Sequence, residues 1–400
     1  MRQRFALILM LQFAAWAVLG GRAAAVERAA DPRSAETPSQ QGSLGNALRG
    51  VPPSVGNALR GVPRPTEGFS LVLPRNATEG VPYTASDVTR ADSYPQTAAP
   101  MVPSQLWLVS TRSLPHGPPG SSRRAVPEVS RYEQDVWQPS SLDDLMAARD
   151  PRLTTVVLVH GNDTDDDQAR SKGLGVYPSL VERADQPFRL IIWSWPADYV
   201  RGSMRQDVRV KAERADFDAF YLAQFIDELN GSDPVSLVGY SLGARVTTGA
   251  LHLLGGGPLA GRSMAAERRA GRPPLRAVLM AAAVDEDWLL PGRRQGHALD
   301  VVERMVLLVN PRDRVLRWYR FLSPGRGAAA LGSRGFTSLA TLGALRQKIE
   351  QINVNPMIGG QHGWASYASS PEILEQLKRE VMIGTVRRKE LLGGQVESRR

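Results

Sequence analysis

The sequence predicts an α/β fold in which helices cover both faces of a doubly wound, mostly parallel β-sheet. Short runs of apolar and often β-branched residues recur after residue 104, and segments with apolar residues at helical spacing alternate with several of them. Residues 153–160, LTTVVLVH, form a continuous apolar run of the kind that is buried on both faces of a parallel sheet. Alternation of such strands with helices is typical of this architecture.

The predicted strands are residues 106–111, 153–160, 189–195, 235–240, 275–283, 305–310 and 348–354. We expect the first of them to be an edge strand. The clearest predicted helices are residues 205–230, with apolar residues spaced by three, four and seven, residues 242–254, and residues 371–382, where a proline follows two serines. Functional groups of such a sheet gather beyond the carboxyl ends of its strands.

Composition divides the 400 residues into one folded domain with attachments. Residues 104–383 are expected to form the domain, and residues 384–400 a basic tail. Residues 26–103 are rich in Pro, Gly, Ala, Ser and Thr and too poor in large apolar residues to bury a core, which predicts a flexible stalk. Within it GNALRGVP recurs after eleven residues, and two copies are too few for a repeat fold.

Residues 1–25 have the pattern of a secretory signal peptide. Two arginines precede an apolar run from Phe5 to Leu19, and three alanines follow at 23–25. This predicts export to the periplasm or the medium. The alternative is an uncleaved N-terminal membrane anchor, because the run is only a little shorter than the roughly 20 residues that span a bilayer.

The composition also excludes several kinds of chemistry. With no cysteine, the chain has no disulfides, no thiolate metal site and no cysteine nucleophile. The net charge of +9 comes from arginines without interleaved aromatic residues or a nucleic-acid motif, so we expect no nucleic-acid partner. Weak attraction to an anionic membrane or cell-wall surface stays open, as does the oligomeric state. No phosphate-binding loop, dinucleotide fingerprint or metal-ligand spacing is present, which predicts a mechanism without cofactor or metal.

The most informative motif is GYSLG at residues 239–243, between a predicted strand and a predicted helix. Glycines on either side of Ser241 allow a tight, strained turn that presents the serine hydroxyl above the sheet edge. The N–H of Leu242 lies at the start of the helix, where free donors and the helix dipole favour developing negative charge. Ser241 is therefore the candidate nucleophile, and Leu242 a candidate oxyanion donor.

A second oxyanion donor and a base are expected at other strand ends. The loop after residues 153–160 contains Gly161 and Asn162, and the backbone N–H of Asn162 is the candidate second donor. His160 is expected to brace this loop by hydrogen bonds. Of the five histidines, His362 follows the last predicted strand on a glycine-rich loop, as a general base would, with His297 as the alternative.

Two aspartates could orient the base. Asp313 follows the predicted strand 305–310, and Asp285 occupies the equivalent place one strand earlier. We favour Asp313 and keep Asp285 as the alternative acid. Either choice gives the chain order Ser, Asp, His.

Residues 105–381 resemble the serine α/β-hydrolases, and in detail an uncharacterised bacterial esterase- or lipase-like group. The resemblance rests on the His-Gly loop, the Ser-Trp-Pro at 194–196, the YSLGAR elbow and the N-x-x-D at 310–313. It implies the fold and a triad of Ser241, Asp313 and His362 with oxyanion donors Asn162 and Leu242.

The resemblance does not imply a known substrate. The signal-peptide pattern and the candidate triad together predict an exported serine hydrolase that cleaves an ester or related bond of a small-molecule or lipid-like acyl substrate through an acyl-enzyme. The alternative function is a non-catalytic binding protein on the same fold. Residues 326–343, rich in Gly, Ala and Ser, depart from the family pattern and leave the lid and the substrate mouth undetermined.

Overall fold

The computed structural model of the protein describes residues 103–116, 126–150, 152–229, 234–265, 275–322 and 327–382. The predicted signal peptide, the predicted basic tail and all but the last residue of the predicted stalk lie outside these residues. Within them, no helix is both long enough and apolar enough to cross a membrane.

The described residues form a nine-stranded sheet with the order β3-β2-β1-β5-β4-β6-β7-β8-β9. All neighbouring strands are parallel except where β2 pairs with β1 and β3. The strands are β1 Gln105–Ser110, β2 Glu128–Glu133, β3 Val136–Ser140, β4 Thr154–Val159, β5 Phe188–Ser194, β6 Val235–Tyr240, β7 Leu275–Met280, β8 Val302–Val309 and β9 Ile349–Asn353.

The helices alternate with the parallel strands, as predicted. They are α1 Leu142–Ala147, α2 Asp166–Arg183, α3 Met204–Leu229, α4 Leu242–Leu254, α5 Tyr319–Leu322, α6 Leu331–Arg334, α7 Asn355–Ile358, α8 Trp364–Ala368 and α9 Pro371–Val381, with 3₁₀ segments at Leu316–Trp318 and Leu339–Lys348.

The path of the chain makes the sheet doubly wound. From β4 the chain passes through α2 to β5 on one side, and then returns through α3 to β6 on the other side of β4. Because such crossovers are right-handed, this reversal places α2 on the opposite face from α3 and α4. The contacts agree, since α3 packs on α4 whereas α9 packs on α2 and β7. The predicted fold class is confirmed, and the reversal sets the carboxyl ends of β4 and β6 side by side.

The apolar runs in the sequence become the centre of the core. Every residue of β4, β5, β6 and β7 is buried, as is every residue of α4. Burying one Val, Leu or Ile side chain contributes about 1.5–3 kcal/mol, so these segments carry much of the stability. They also form the rigid base from which the loops at the carboxyl edge project.

One prediction about the sheet is wrong: β1 is not an edge strand. It pairs with β5 on one side and with β2 on the other, because the hairpin of β2 and β3 extends the sheet beyond it. The hairpin turns through Gln134 and Asp135, both with positive φ, as a two-residue hairpin turn requires. A smaller difference is that β7 ends at Met280 rather than at residue 283.

Candidate active site

Ser241 forms a one-residue turn between β6 and α4. Its φ of 55° and ψ of −120° are strained for a non-glycine residue, at a cost of about 1–3 kcal/mol. A Cβ at Gly239 would lie 2.7 Å from the Cα of Ala244, and one at Gly243 would lie 2.3 Å from the carbonyl oxygen of Val159. Side chains do not fit at either position, so the turn that raises Ser241 depends on both glycines.

Three side chains predicted from separate strand ends meet at this turn. The Oγ of Ser241 lies 3.2 Å from Nε2 of His362, and Nδ1 of His362 lies 2.8 Å from Oδ2 of Asp313. Asp313 is 1% exposed, and its Oδ1 accepts hydrogen bonds of 2.8 Å from the backbone N–H groups of Val315 and Leu316. The carboxylate is thereby fixed with one oxygen directed at the imidazole.

The alternative acid has a different partner. Asp285 is buried beyond the end of β7, and its Oδ1 accepts a hydrogen bond of 2.7 Å from the hydroxyl of Tyr319. The geometry therefore favours Asp313 over Asp285 as the partner of His362.

The loop that carries His362 is held by two polar side chains. The hydroxyl of Tyr240 donates to the carbonyl oxygen of His362 at 2.6 Å, and burial raises the pKa of Tyr240, which keeps this donor protonated. Nδ2 of Asn310 donates to the carbonyl oxygens of Gly359 at 2.9 Å and Gln361 at 3.1 Å. The sequence does not predict these roles, although Tyr240 lies in the YSLGAR elbow and Asn310 in the N-x-x-D motif.

The loop after β4 passes directly against Ser241. A Cβ at Gly161 would lie 2.8 Å from the ring of Tyr240 and 3.0 Å from the Cβ of Ser241. Only glycine allows this approach, which brings the loop of Asn162 beside Ser241. Leu242 is the first residue of α4, where backbone N–H groups have no partner within the helix. Both predicted oxyanion donors thus belong to segments that border Ser241.

His160 braces this loop, as expected. Its Nε2 accepts from the backbone N–H of Trp195 at 3.2 Å, so the ring proton is on Nδ1, which donates to the carbonyl oxygen of Gly161 at 2.9 Å. Trp195 returns a bond of 2.8 Å from its indole N–H to the His160 carbonyl. Burial lowers the pKa of His160 well below its usual value, with positive charge on Lys172 adding to the effect. The imidazole is therefore neutral.

The other three histidines lie against other groups. His116 is 3.4 Å from Asp218, the backbone N–H of His297 donates to Nδ1 of His252, and His297 pairs with Asp300 at 2.9 Å. Of the two histidines considered as the base, it is His362, not His297, that contacts Ser241.

Residues 326–343 are joined to the ends of the central strands where they are described. The N–H of Leu331 donates to Val284, the N–H of Gly332 donates to Ala282, and the Gly332 carbonyl accepts from Asn310. A Cβ at Gly332 would lie 2.2 Å from the backbone nitrogen of Ala282. The small residues of α6 thus allow this segment to pack against the chain that leaves β7, which accounts for part of the long spacing between Asp313 and His362.

The part of the chain that the structure describes contains no group of three or more His, Asp or Glu side chains that could hold a metal ion.

Comparison with known proteins gives remote likenesses. No protein-family model and no curated protein matches the chain. Among solved structures, it is similar to a zinc-bound cold-adapted esterase from an Arctic intertidal metagenomic library, with 16% identity over 64% of this chain and 89% of that one, and a TM-score of 0.32. It is similar to a bifunctional GH43-CE protein of Bacteroides eggerthii, with 14% identity over 58% of this chain and a TM-score of 0.32, and spans 31% of that chain.

A third similar structure is the catalytic core domain of acetyl xylan esterase from Trichoderma reesei. The identity is 12% over 57% of this chain and 93% of that one, with a TM-score of 0.26. Values of this size do not assign the chain to any of these groups, so its function has to be inferred from the site itself.

Proposed function

We propose that this protein is a serine hydrolase that cleaves an ester or related acyl bond of a small-molecule or lipid-like substrate. The observation that carries the proposal is the continuous hydrogen-bonded path from Ser241 through His362 to Asp313, with distances of 3.2 and 2.8 Å. This is the arrangement by which a serine hydroxyl is activated for nucleophilic attack. The strained turn at Ser241 gives independent support, because such strain concentrates at functional sites.

In the first half-reaction, acylation, Ser241, His362 and Asp313 each have a distinct role. Ser241 Oγ attacks the substrate carbonyl while Nε2 of His362 takes the hydroxyl proton, and Asp313 stabilises the imidazolium. The N–H groups of Asn162 and Leu242 would donate to the oxyanion of the tetrahedral intermediate. Collapse of the intermediate breaks the bond to the leaving alcohol, which receives the proton from His362, and the acyl group remains on Ser241.

Deacylation repeats the sequence with water. His362 accepts a proton from water as the oxygen attacks the acyl-enzyme, the same donors hold the second oxyanion, and the acid leaves as the proton returns to Ser241.

Labelling by a fluorophosphonate, with the modified residue located by mass spectrometry, tests the proposal. We expect modification of Ser241, and Ser241→Ala should lose about three or more orders of magnitude in kcat on a short-chain aryl ester. Ser236→Ala is the matched control, because Ser236 is a buried serine of β6, the strand that precedes Ser241, and its hydroxyl makes no hydrogen bond among the described residues. Wild-type protein that neither labels nor hydrolyses any ester of a broad panel would instead favour a binding protein on this fold.

We also propose that the protein acts outside the cytoplasm, since residues 1–25 have the charge and apolar pattern of a signal peptide. Mature protein should begin near Val26 in the periplasmic or secreted fraction, as determined by N-terminal sequencing. Recovery of intact Met1 on membrane-bound protein would favour the anchor.

A further inference from the structure

A fully buried lysine on α3 is paired with the loop that carries Asn162. The ammonium of Lys211 forms ion pairs with Asp163 and, at 2.9 Å, with Asp207 one turn earlier in α3. Asp207 is itself fixed, because its Oδ1 accepts a hydrogen bond of 2.7 Å from the backbone N–H of Val200. A buried ammonium is costly unless it is paired. Lys211 therefore links a rigid helix to Asp163, the residue that follows Asn162.

The backbone at Asp163 is in the left-handed region. Its φ is 46°, a conformation that most side chains disfavour and that Asp tolerates better than most. This conformation sets the direction in which the chain leaves Asn162. Strained backbone persists only where surrounding groups determine it, and the Lys211 ion pair is such a group.

Contacts on both sides fix the rest of the loop. Gly161 packs against Ser241, and the buried Thr164 donates from Oγ1 to the carbonyl oxygen of Asn162 at 3.1 Å. The Thr164 carbonyl accepts from Arg112 at 2.7 Å. The side-chain oxygen of Asn162 is buried and has no hydrogen-bond partner among the described residues. The position of Asn162 is therefore set by its neighbours rather than by its own side chain.

From these contacts we infer that Lys211 and Asp163 are positioning residues of the proposed hydrolase, which hold the Asn162 N–H where the oxyanion forms. The inference rests on the proposed function. An oxyanion donor works only when it lies about 2.7–3.1 Å from the developing charge, and a displacement of about 1 Å can cost roughly 100-fold in rate. The loss should fall on kcat rather than on KM, because the donor acts mainly in the transition state.

Two substitutions at Asp163 test this role. Asp163→Gly accepts the positive φ without strain but removes the carboxylate, and we expect kcat on an aryl ester to fall about 10- to 100-fold while KM stays within about threefold. Asp163→Asn keeps an oxygen that can accept from Lys211, so its kcat should lie between the wild type and Asp163→Gly. The rate of fluorophosphonate labelling of Ser241 should follow the same order.

Glu303→Gln is the matched control, because it weakens a mostly buried ion pair with Arg276 near the amino ends of β7 and β8, on the opposite edge of the sheet. Its kcat should remain within about twofold of the wild type. Hydrogen exchange of the peptide that covers residues 160–165 supplies a readout that does not depend on turnover, and exchange should be faster in Asp163→Gly than in the wild type.

The outcomes separate the two claims. If the wild type labels at Ser241 and Asp163→Gly retains kcat within about threefold, the positioning role is overturned and the hydrolase stands. If the wild type does not label or turn over, the proposed function fails first and the positioning role fails with it. Should Asp163→Gly not fold, Asp163→Asn with unchanged kcat and unchanged exchange would overturn the inference.

Discussion

The two loops that converge on Ser241 are held in different ways. The base loop, residues 359–363, is anchored by neutral donors, the hydroxyl of Tyr240 and the amide of Asn310, which bond to its backbone carbonyls. The oxyanion loop, residues 160–164, is anchored by the cations Arg112, Lys172 and Lys211 together with a neutral imidazole.

The difference matches the roles proposed for the two loops. In the proposed mechanism His362 gains and loses a proton in each half-reaction, and the neutral donors that anchor its loop add no charge to that of Asp313. In the same mechanism the oxyanion loop keeps one N–H in place while negative charge forms nearby, and the ion pair of Lys211 with Asp163 helps to hold it. The predictions below test each side of this contrast.

The largest effect is expected at Asp313, which contacts the base loop through His362. Replacing Asp313 by Asn keeps its shape but permits the wrong imidazole tautomer, a change that costs about four orders of magnitude in a serine protease. We expect kcat of Asp313→Asn to fall nearly as far as that of His362→Ala, and kcat of Asp285→Asn to stay close to the wild type. If instead Asp285→Asn lost most of its kcat and Asp313→Asn did not, the acid would be Asp285.

The next effect is steric and belongs to the oxyanion loop. In Gly161→Ala the new methyl group would lie 3.0 Å from the Cβ of Ser241, so the loop must shift away from the nucleophile. We expect kcat to fall by about two orders of magnitude. Gly175→Ala, at a helical glycine of α2 with open space around it, is the control and should be neutral or slightly stabilising. Equal kcat in both variants would show that the Gly161 approach is unimportant.

The next effect concerns the pH dependence of stability and belongs to His160 in the oxyanion loop. Because the folded-state pKa of His160 lies below its usual 6.5, the unfolded chain binds a proton near and below that pH that the folded chain does not. Lowering the pH through about 6.5 therefore favours unfolding, by up to about 1.4 kcal/mol per pH unit for this one group. The free energy of unfolding of the wild type should fall more steeply between about pH 7 and 5 than that of His160→Gln. Parallel slopes would contradict a neutral His160.

The smallest effect is expected at Tyr240. Tyr240→Phe leaves the carbonyl of His362 without this donor, which should cost about 1 kcal/mol of stability. Because the loop is then less well held, we expect kcat to fall about fivefold to tenfold. Tyr221→Phe removes a similar bond of 2.6 Å to the carbonyl of Pro115, and its kcat should not change. If both variants keep full kcat, the hydroxyl of Tyr240 does not position the base.

The sequence predicts the centre of the fold and the meeting of the triad for one physical reason. Buried parallel strands are continuous apolar runs, and their carboxyl ends lie at the same edge of the sheet, so Ser241, Asp313 and His362 could be placed together from strand order alone. For the same reason, the loop of Asn162 is predicted to lie at this edge, because it follows another buried parallel strand.

The remaining features depend on contacts that leave no local pattern. Lys211 lies three residues after Val208 and four before Ala215, so the spacing of α3 places it on the apolar face. Its partner Asp163 is 48 residues away, and no local pattern shows that the two side chains pair.

The helix α2 contains Pro178 and two glycines, residue types that disfavour a helix, so its sequence does not mark it clearly as one. One of these glycines, Gly173, packs against Ile192. Strands β2 and β3 are only partly buried and mainly polar, so their pairing is decided by the tertiary structure rather than by β-propensity.

The β2–β3 hairpin also changes what the sheet offers to a second molecule. If β1 were at the edge, its apolar run LWLV would present unpaired backbone groups, which is the kind of segment that templates aggregation. The outer strand is instead β3, which is short and partly exposed and includes Pro139, a residue without an N–H to donate. Loss of this hairpin would leave the apolar strand β1 at the edge of the sheet with unpaired backbone groups. We would then expect the protein to self-associate as its concentration rises.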